Sequence, residues 1–281
     1  MSLPKKPERE KDDTRHWDDR RGRIFTSKGG WVIGEAVYHH GYSMMDDFIG
    51  QVSFFQVLIM SVTGRLPERR LADWVEAIFI CMSYPDARIW CNQIGSLAGT
   101  MRASCVAGVS AGILATDSYH YGPGSLIAGA QFIVDALKKK KHGMTAEDIL
   151  RQYQRHPDSK PTIIGYARPV ASGDERIEAM ERLSVQLGFE RGEHLTLAFE
   201  IDEIMRQKFN ERMNINGYGT AFFSDQGFSV EEIYRFLAVV ANSGIHACYV
   251  EAADSPAGSF FPLRCQDLEY QGKAARPVPE R

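Results

Sequence analysis

The sequence is short of features that would name a function quickly. Cysteine is sparse and unpatterned. Cys81, Cys91, Cys105, Cys248 and Cys265 form no CxxC pair and no Cys/His spacing suited to zinc. No metal site is therefore expected, and an odd set of scattered thiols fits a reducing, cytoplasmic compartment. Excess positive charge is missing too. The net charge is −3, which gives no broad electrostatic case for nucleic acid. The longest uncharged run near mid-chain, Ala103 to Thr116, is bounded by Arg102 and Asp117. It falls short of the ~20 apolar residues that span a bilayer. Residues Lys5 to Arg23 are nearly all charged or polar, with no apolar core of a signal peptide, so 1–22 reads as a disordered charged tail. Alternating strand patterns are nearly absent, as are internal repeats and low-complexity linkers.

What is present is helical periodicity in a chain of 281 residues, long enough for one large domain or two modest ones. With 44% apolar and 25% charged residues the composition is that of a soluble globular protein. Ile24 to Tyr42, rich in glycine, aromatic and β-branched residues, suggests a small hairpin or an extended lead-in. From Asp46 the apolar positions Phe48, Ile49, Val52, Phe55, Leu58, Ile59 and Val62 predict a helix that Gly64 ends, with Pro67 opening the next. Leu71, Trp74, Val75, Ile78 and Phe79 mark that next helix's apolar face. Gly95, Gly99, Ala103, Ala107 and Ala111 recur every four residues, with Ser104, Gly108 and Gly112 one step round. On a helix this is a smooth stripe for close packing, either inside the chain or across a subunit boundary. A helix is expected from Ser125 into Lys138–Lys141, whose lysines suit a helix C-terminus, solvated or touching a phosphate. Thr145 with Asp148 and Ser229 with Glu232 form capping boxes. Glu175 to Leu187 and Glu193 to Phe209 are amphipathic. The fold class is mainly α.

Several segments, in order, are similar to the citrate synthase family. HGYSMMDDFIG (His40 to Gly50) resembles RGYxxxDLIG, and SFFQVLIMSVTGRLP (Ser53 to Pro67) resembles SFxEvxxLLxTGRLP. ATDSYHYGPG (Ala115 to Gly124) resembles the first catalytic loop, xxDxHGGA. IIGYARPVASGDER (Ile163 to Arg176) resembles GFGHPVYxxGDPR, and MNINGYGTAFFSDQGF (Met213 to Phe228) resembles NVDGxxAAxLxxLGF. The closing ARPVP (Ala275 to Pro279) matches the family's RPVP. The length is that of the short branch, which includes citryl-CoA lyases. The resemblance implies a large helical domain (23–124 and 215–281), a small helical domain (125–214) and an active site in the cleft. It also implies a homodimer, with the small-residue stripe as a dimer helix, or a heterodimer with a paralogue.

The family joins an acyl-CoA to a 2-oxo acid, or breaks the bond between them. Removing the α-proton of a thioester needs a carboxylate base and a hydrogen-bond donor on the thioester oxygen. The resemblance gives the donor role to His120, in a loop that contains Gly122. Arg168 stands where the family has a second histidine; it can donate to a carbonyl but cannot exchange protons near neutral pH. Arg176 aligns with an arginine that holds the acid's carboxylate. Gly122, Gly165 and Tyr166 stand in the stretches expected to meet the coenzyme A thioester, which is a substrate; no covalently bound cofactor is implied. Asn216 occupies the place of the catalytic aspartate, with that residue's shape but not its basicity. Ser83 to Gly95 lacks the histidine that binds oxaloacetate, leaving Asp86 as the nearest equivalent, and Phe261 stands where an arginine is expected. Two functions follow as expectations: an acyl-CoA carbon–carbon lyase or transferase with altered chemistry, or an impaired member that binds coenzyme A or partners an active paralogue. A helical scaffold without a ligand is the third reading.

Overall fold

A computed structural model describes residues 14–118, 121–168 and 172–279, which divide into two compact units after Arg69. In the first unit, a single exposed turn α1 (Arg15–Asp18) lies within the predicted tail. The expected hairpin is present as an antiparallel meander of β1 (Gly29–Val32), β2 (Ala36–His39) and β3 (Tyr42–Ser43), with Gly29 opposite His39 and Val32 opposite Ala36. The helix predicted from Asp46 starts later. Met44–Phe48 is a single π turn, and α2 spans Phe54–Thr63. Gly50, at φ +79°, breaks the path, and Ser53 with Gln56 forms a complete capping box that sets the new start. Gly64 ends α2 in the left-handed conformation, as the sequence predicts.

The second unit is helical: α3 (Arg69–Met82), α4 (Trp90–Thr100), α5 (Cys105–Thr116), α6 (Pro123–Lys141), α7 (Ala146–Arg151), α8 (Glu175–Gln186), α9 (Glu193–Phe209), α10 (Ile215–Asp225), α11 (Val230–Leu237) and α12 (Asn242–Asp254). Both predicted capping boxes form, at Thr145 and Ser229. The core centres on α10, where Tyr218, Phe222 and Phe223 are fully buried. Trp74 of α3 lies flat on Phe222 at 3.6 Å between ring centres, and its indole N–H donates to Ser184 Oγ at 2.9 Å. Its one polar atom is therefore satisfied inside the core.

The small-residue stripe is two helices rather than one. Arg102 takes φ +61°, and Ser104 caps α5 by accepting from the Ala107 N–H. The glycines serve packing within the chain. A Cβ at Gly99 would come within 2.3 Å of the Tyr249 carbonyl oxygen, and one at Gly112 within 2.6 Å of Ile245 Cγ2, so α12 lies directly against α4 and α5. The lysines that end α6 pair with neighbouring helices, Lys141 with Glu193 and Lys140 with Glu200, which is the behaviour of a solvated helix end. Val230–Asp254 has the length and hydropathy of a membrane span, but half of it is buried inside the protein and a turn at 238–241 divides it, as in core helices.

Candidate functional site

A cavity of about 760 Å³ in the second unit is built from chain connections and helix starts. The α3–α4 connection supplies Tyr84, Arg88 and Ile89, and α4 begins with Trp90. The approach to α6 gives Tyr121, Gly122 and Ser125. The irregular segment from Lys160 to Arg168, Arg176 in the first turn of α8, and Asn214 to Asn216 at the start of α10 complete the polar side. Of the residues singled out from sequence, the cavity gathers Arg168, Arg176, Asn216, Gly122 and Gly165. His120 lies outside the described residues.

Two glycines fix the frame. Gly165 takes φ +100°, and a Cβ there would meet Gly217 Cα at 2.8 Å; a Cβ on Gly217 would meet the Gly165 oxygen at 2.5 Å. The segment is then tied to α10: the Asn214 N–H donates to the Gly165 carbonyl at 2.9 Å, and Asn214 Nδ2 donates to the Ala167 carbonyl at 2.7 Å. The Asn214 Oδ1 in turn caps α10, accepting from the N–H groups of Asn216 and Gly217. Gly122, at φ +71°, comes so close to Thr116 that a Cβ would stand 2.2 Å from its carbonyl oxygen.

Asp174 joins the cationic side together, a role not legible in the sequence. Its side chain is wholly buried and caps α8. It accepts from Arg176 Nε at 2.7 Å and Nη2 at 2.6 Å, and from the backbone N–H of Ile215 at 2.8 Å, with Arg168 Nη1 at 3.8 Å. Burial pushes the Asp174 carboxyl up, but the Arg176 fork, the Ile215 N–H and the nearby Arg168 pull it further down, leaving it below the ordinary carboxylate value. Arg176 also donates to the Cys81 carbonyl at 2.9 Å, which leaves one N–H on each terminal nitrogen for a ligand. Arg168 donates to Glu175 at 2.8 Å and to the Gly173 carbonyl.

Asn216 is oriented by a neighbour that sequence reasoning passed over. Its Nδ2 donates to Ser125 Oγ at 3.0 Å, and the Ser125 hydroxyl donates onward to the Gly122 carbonyl at 2.8 Å. Because that proton is committed, the serine must accept, and the amide must present its nitrogen. The Asn216 Oδ1 is buried without a partner, pressed against Gly129 of α6. Asp86 and Tyr166 are placed elsewhere. Asp86 forms a two-pronged pair with Arg88, at 3.0 and 2.7 Å, whose hydrogen bonds hold its carboxyl down to about 2. Tyr166 is buried in the core, its hydroxyl donating to the Ala198 carbonyl and its ring edge-on to Phe132. Among the described residues no group of three or more His, Cys, Asp or Glu gathers in a way that would hold a metal ion.

The arrangement offers planar cationic donors beside a glycine-lined approach, with the Asn216 amide and the Ser125 hydroxyl on the same cavity. The aromatic wall of Tyr84, Trp90 and Tyr121 and the Asp174 hub went unread in the sequence. Only Asp174 carried a signal, as an Asp immediately before an amphipathic helix.

No protein-family profile and no curated protein sequence matches the chain. Solved structures do. Citryl-CoA lyase from Hydrogenobacter thermophilus aligns with a TM-score of 0.76 at 23% identity, over 91% of this chain and 97% of that one. ATP citrate lyase from Methanothrix soehngenii, in complex with citrate and coenzyme A, aligns at 0.74 and 15% identity over 98% of this chain, which spans 46% of that longer protein. Citrate synthase from Thermoplasma acidophilum, in a ternary complex with carboxymethyl coenzyme A and oxaloacetate, aligns at 0.56 and 14% identity, over 81% of this chain and 59% of that one. The chain has the citrate synthase fold, at the length of a citryl-CoA lyase.

Proposed function

We propose that the chain binds a coenzyme A thioester and makes or breaks a carbon–carbon bond beside its carbonyl, with a 2-oxo acid or related organic acid as the other reactant. The observation that carries this reading is the single cavity that gathers Arg168, Arg176, Asn216, Gly122 and Gly165, positions drawn from three separate motifs. Solved structures of the same fold hold coenzyme A with citrate, or a coenzyme A analogue with oxaloacetate, which supports the substrate class. In this reading His120 donates to the thioester oxygen, where enolate charge builds. Arg168 steadies the oxygen of the acid's carbonyl, and Arg176 holds its carboxylate with the two N–H groups that Asp174 and Cys81 leave unused. Coenzyme A enters as substrate, and no covalently bound cofactor is required.

A second reading has a specific observation in its favour. Asn216 cannot accept a proton, its amide is committed to Ser125, and the cavity's carboxylate Glu211 is paired with Lys160. An impaired member that binds coenzyme A, or serves as partner to an active paralogue, fits that loss. In either reading the chain forms a dimer through the outward face of α5, where Val106 and Leu114 are each 78% exposed. The division into a large part (23–124 and 215–281) and a small part (125–214) and a cytoplasmic location belong to the same proposal.

Thermal unfolding with and without coenzyme A and acetyl-CoA tests it. A ligand at 100 times its dissociation constant adds about 2.7 kcal/mol, a rise of roughly 5–10 °C at this size. No shift with either compound at millimolar concentration would remove the coenzyme A reading. A shift without turnover against any 2-oxo acid favours the impaired member.

A further inference from the structure

Resting on the coenzyme A reading above, we infer that the acid partner is a monocarboxylate with an aromatic or branched apolar side chain rather than a dicarboxylate. The first argument is charge. Four cations line the cavity, and each already has a carboxylate: Arg88 with Asp86 at 2.7 Å, Lys160 with Glu211 at 2.5 Å, Arg168 with Glu175 at 2.8 Å, and Arg176 with Asp174 at 2.6 Å. Among the described residues the lining is thus electrically balanced. Desolvating a carboxylate is costly unless donors replace its water. Arg176 retains two N–H groups for one carboxylate, and Arg168 retains donors for a carbonyl. One carboxylate on the Arg176 fork already makes this balanced lining net negative, and a second would add to that charge, with Arg88 and Lys160 each holding a carboxylate of their own.

The second argument is the wall beside Arg176. The guanidinium carbon lies 6.0 Å from the centre of the Tyr84 ring. Trp90 and Tyr121 meet edge to face at 6.4 Å, and Met82, Ile89 and Val240 line the same cavity. Tyr121, Tyr84 and Arg176 line the same cavity. Tyr84 is 40% and Trp90 61% exposed, and large rings left open inside a concave site are suited to cover an apolar group. The stretch 83–95, which contributes Tyr84, Ile89 and Trp90 to this wall, contains no histidine. One end of the acid is thus recognised by an arginine fork and the other by aromatic rings.

Titration calorimetry on the full chain, saturated with coenzyme A, separates the outcomes. The probes are phenylpyruvate, 4-methyl-2-oxopentanoate, pyruvate and oxaloacetate. Burying a benzyl group should make phenylpyruvate bind roughly ten- to hundredfold tighter than pyruvate, with oxaloacetate no tighter than pyruvate. Trp90→Ala, a change at an exposed position, should reduce the preference for phenylpyruvate over pyruvate by about fivefold or more while coenzyme A still binds. Oxaloacetate binding more tightly than phenylpyruvate would overturn the inference and leave the coenzyme A reading standing. Coenzyme A binding with no acid bound would overturn it as well. Absence of coenzyme A binding would instead remove the reading beneath it.

Discussion

Replacing Asp174 by Asn would uncouple the cationic side of the cavity from the helix that carries Asn216. The carboxylate is wholly buried and serves Arg176 twice, the Ile215 N–H once and Arg168 at longer range. The amide keeps one acceptor oxygen, so it can cap α8 or accept from Ile215 but not both, and what is lost is the charge together with one acceptor. Arg176, at 21% side-chain exposure, is left without its counterion, and removing one partner of a buried pair costs about 3–5 kcal/mol. At 2–4 °C per kcal/mol for a chain of this size, the melting temperature should fall by roughly 10 °C. Urea unfolding followed by tryptophan fluorescence measures the loss directly. Trp74, sealed between α3 and α10, reports the relevant core. Adding Arg176→Met to the Asn variant removes the stranded charge and should restore part of the loss, since breaking one partner costs more than removing both. A cost below about 1 kcal/mol for Asp174→Asn, or no recovery in the double variant, would refute the buried-pair account.

Acid should act through the same residue. The folded carboxyl of Asp174 sits below its ordinary value, so its contribution is complete above the unfolded pKa and fades as pH falls through the folded one. Urea midpoints should therefore drop below about pH 4, and the Asn variant should lose less over that range than the wild type. Gly165→Ala should cost about 1–3 kcal/mol from the positive φ alone, and more from its clash with Gly217, detectable as a lower thermal midpoint. Asn216→Asp would place a carboxylate oxygen against Gly129 with no donor. Its pKa should rise above the unfolded value, so the variant should be less stable at pH 8 than at pH 5 relative to wild type. If the site takes the enolate role, that variant should exchange the methyl protons of acetyl-CoA with deuterium oxide faster than wild type, as read by proton NMR.

Much of the helical frame was legible because its signals are local. Ser229 with Glu232, Thr145 with Asp148, and Gly64 at the end of α2 each carry their function within four residues. Where two local signals disagreed, periodicity misled. Phe48, Ile49 and Val52 continue a helical apolar face, yet Gly50 and the Ser53 capping box place the start of α2 at Phe54. The break between α4 and α5 had no glycine or proline to mark it, since Arg102 itself adopts the left-handed conformation. In the site, the ordered motifs pointed to Arg168, Arg176 and Asn216. They did not reveal Ser125, which is 91 residues from Asn216, nor the aromatic wall, because contacts at such separation leave no periodic trace. Asp86 shows the limit of alignment by position: its carboxylate is held by Arg88, two residues away.

The contact between Gly165 and Gly217 turns one segment of the chain into a gauge for another. The Asn214 amide proton is held by the Gly165 carbonyl, so it is protected from solvent only while the 163–168 segment is seated on α10. Deuterium uptake by a peptide that includes Asn214 therefore records how often the two glycines separate. A ligand gripping Arg168 would be seen there as slower exchange, with no label on the ligand and no need for turnover.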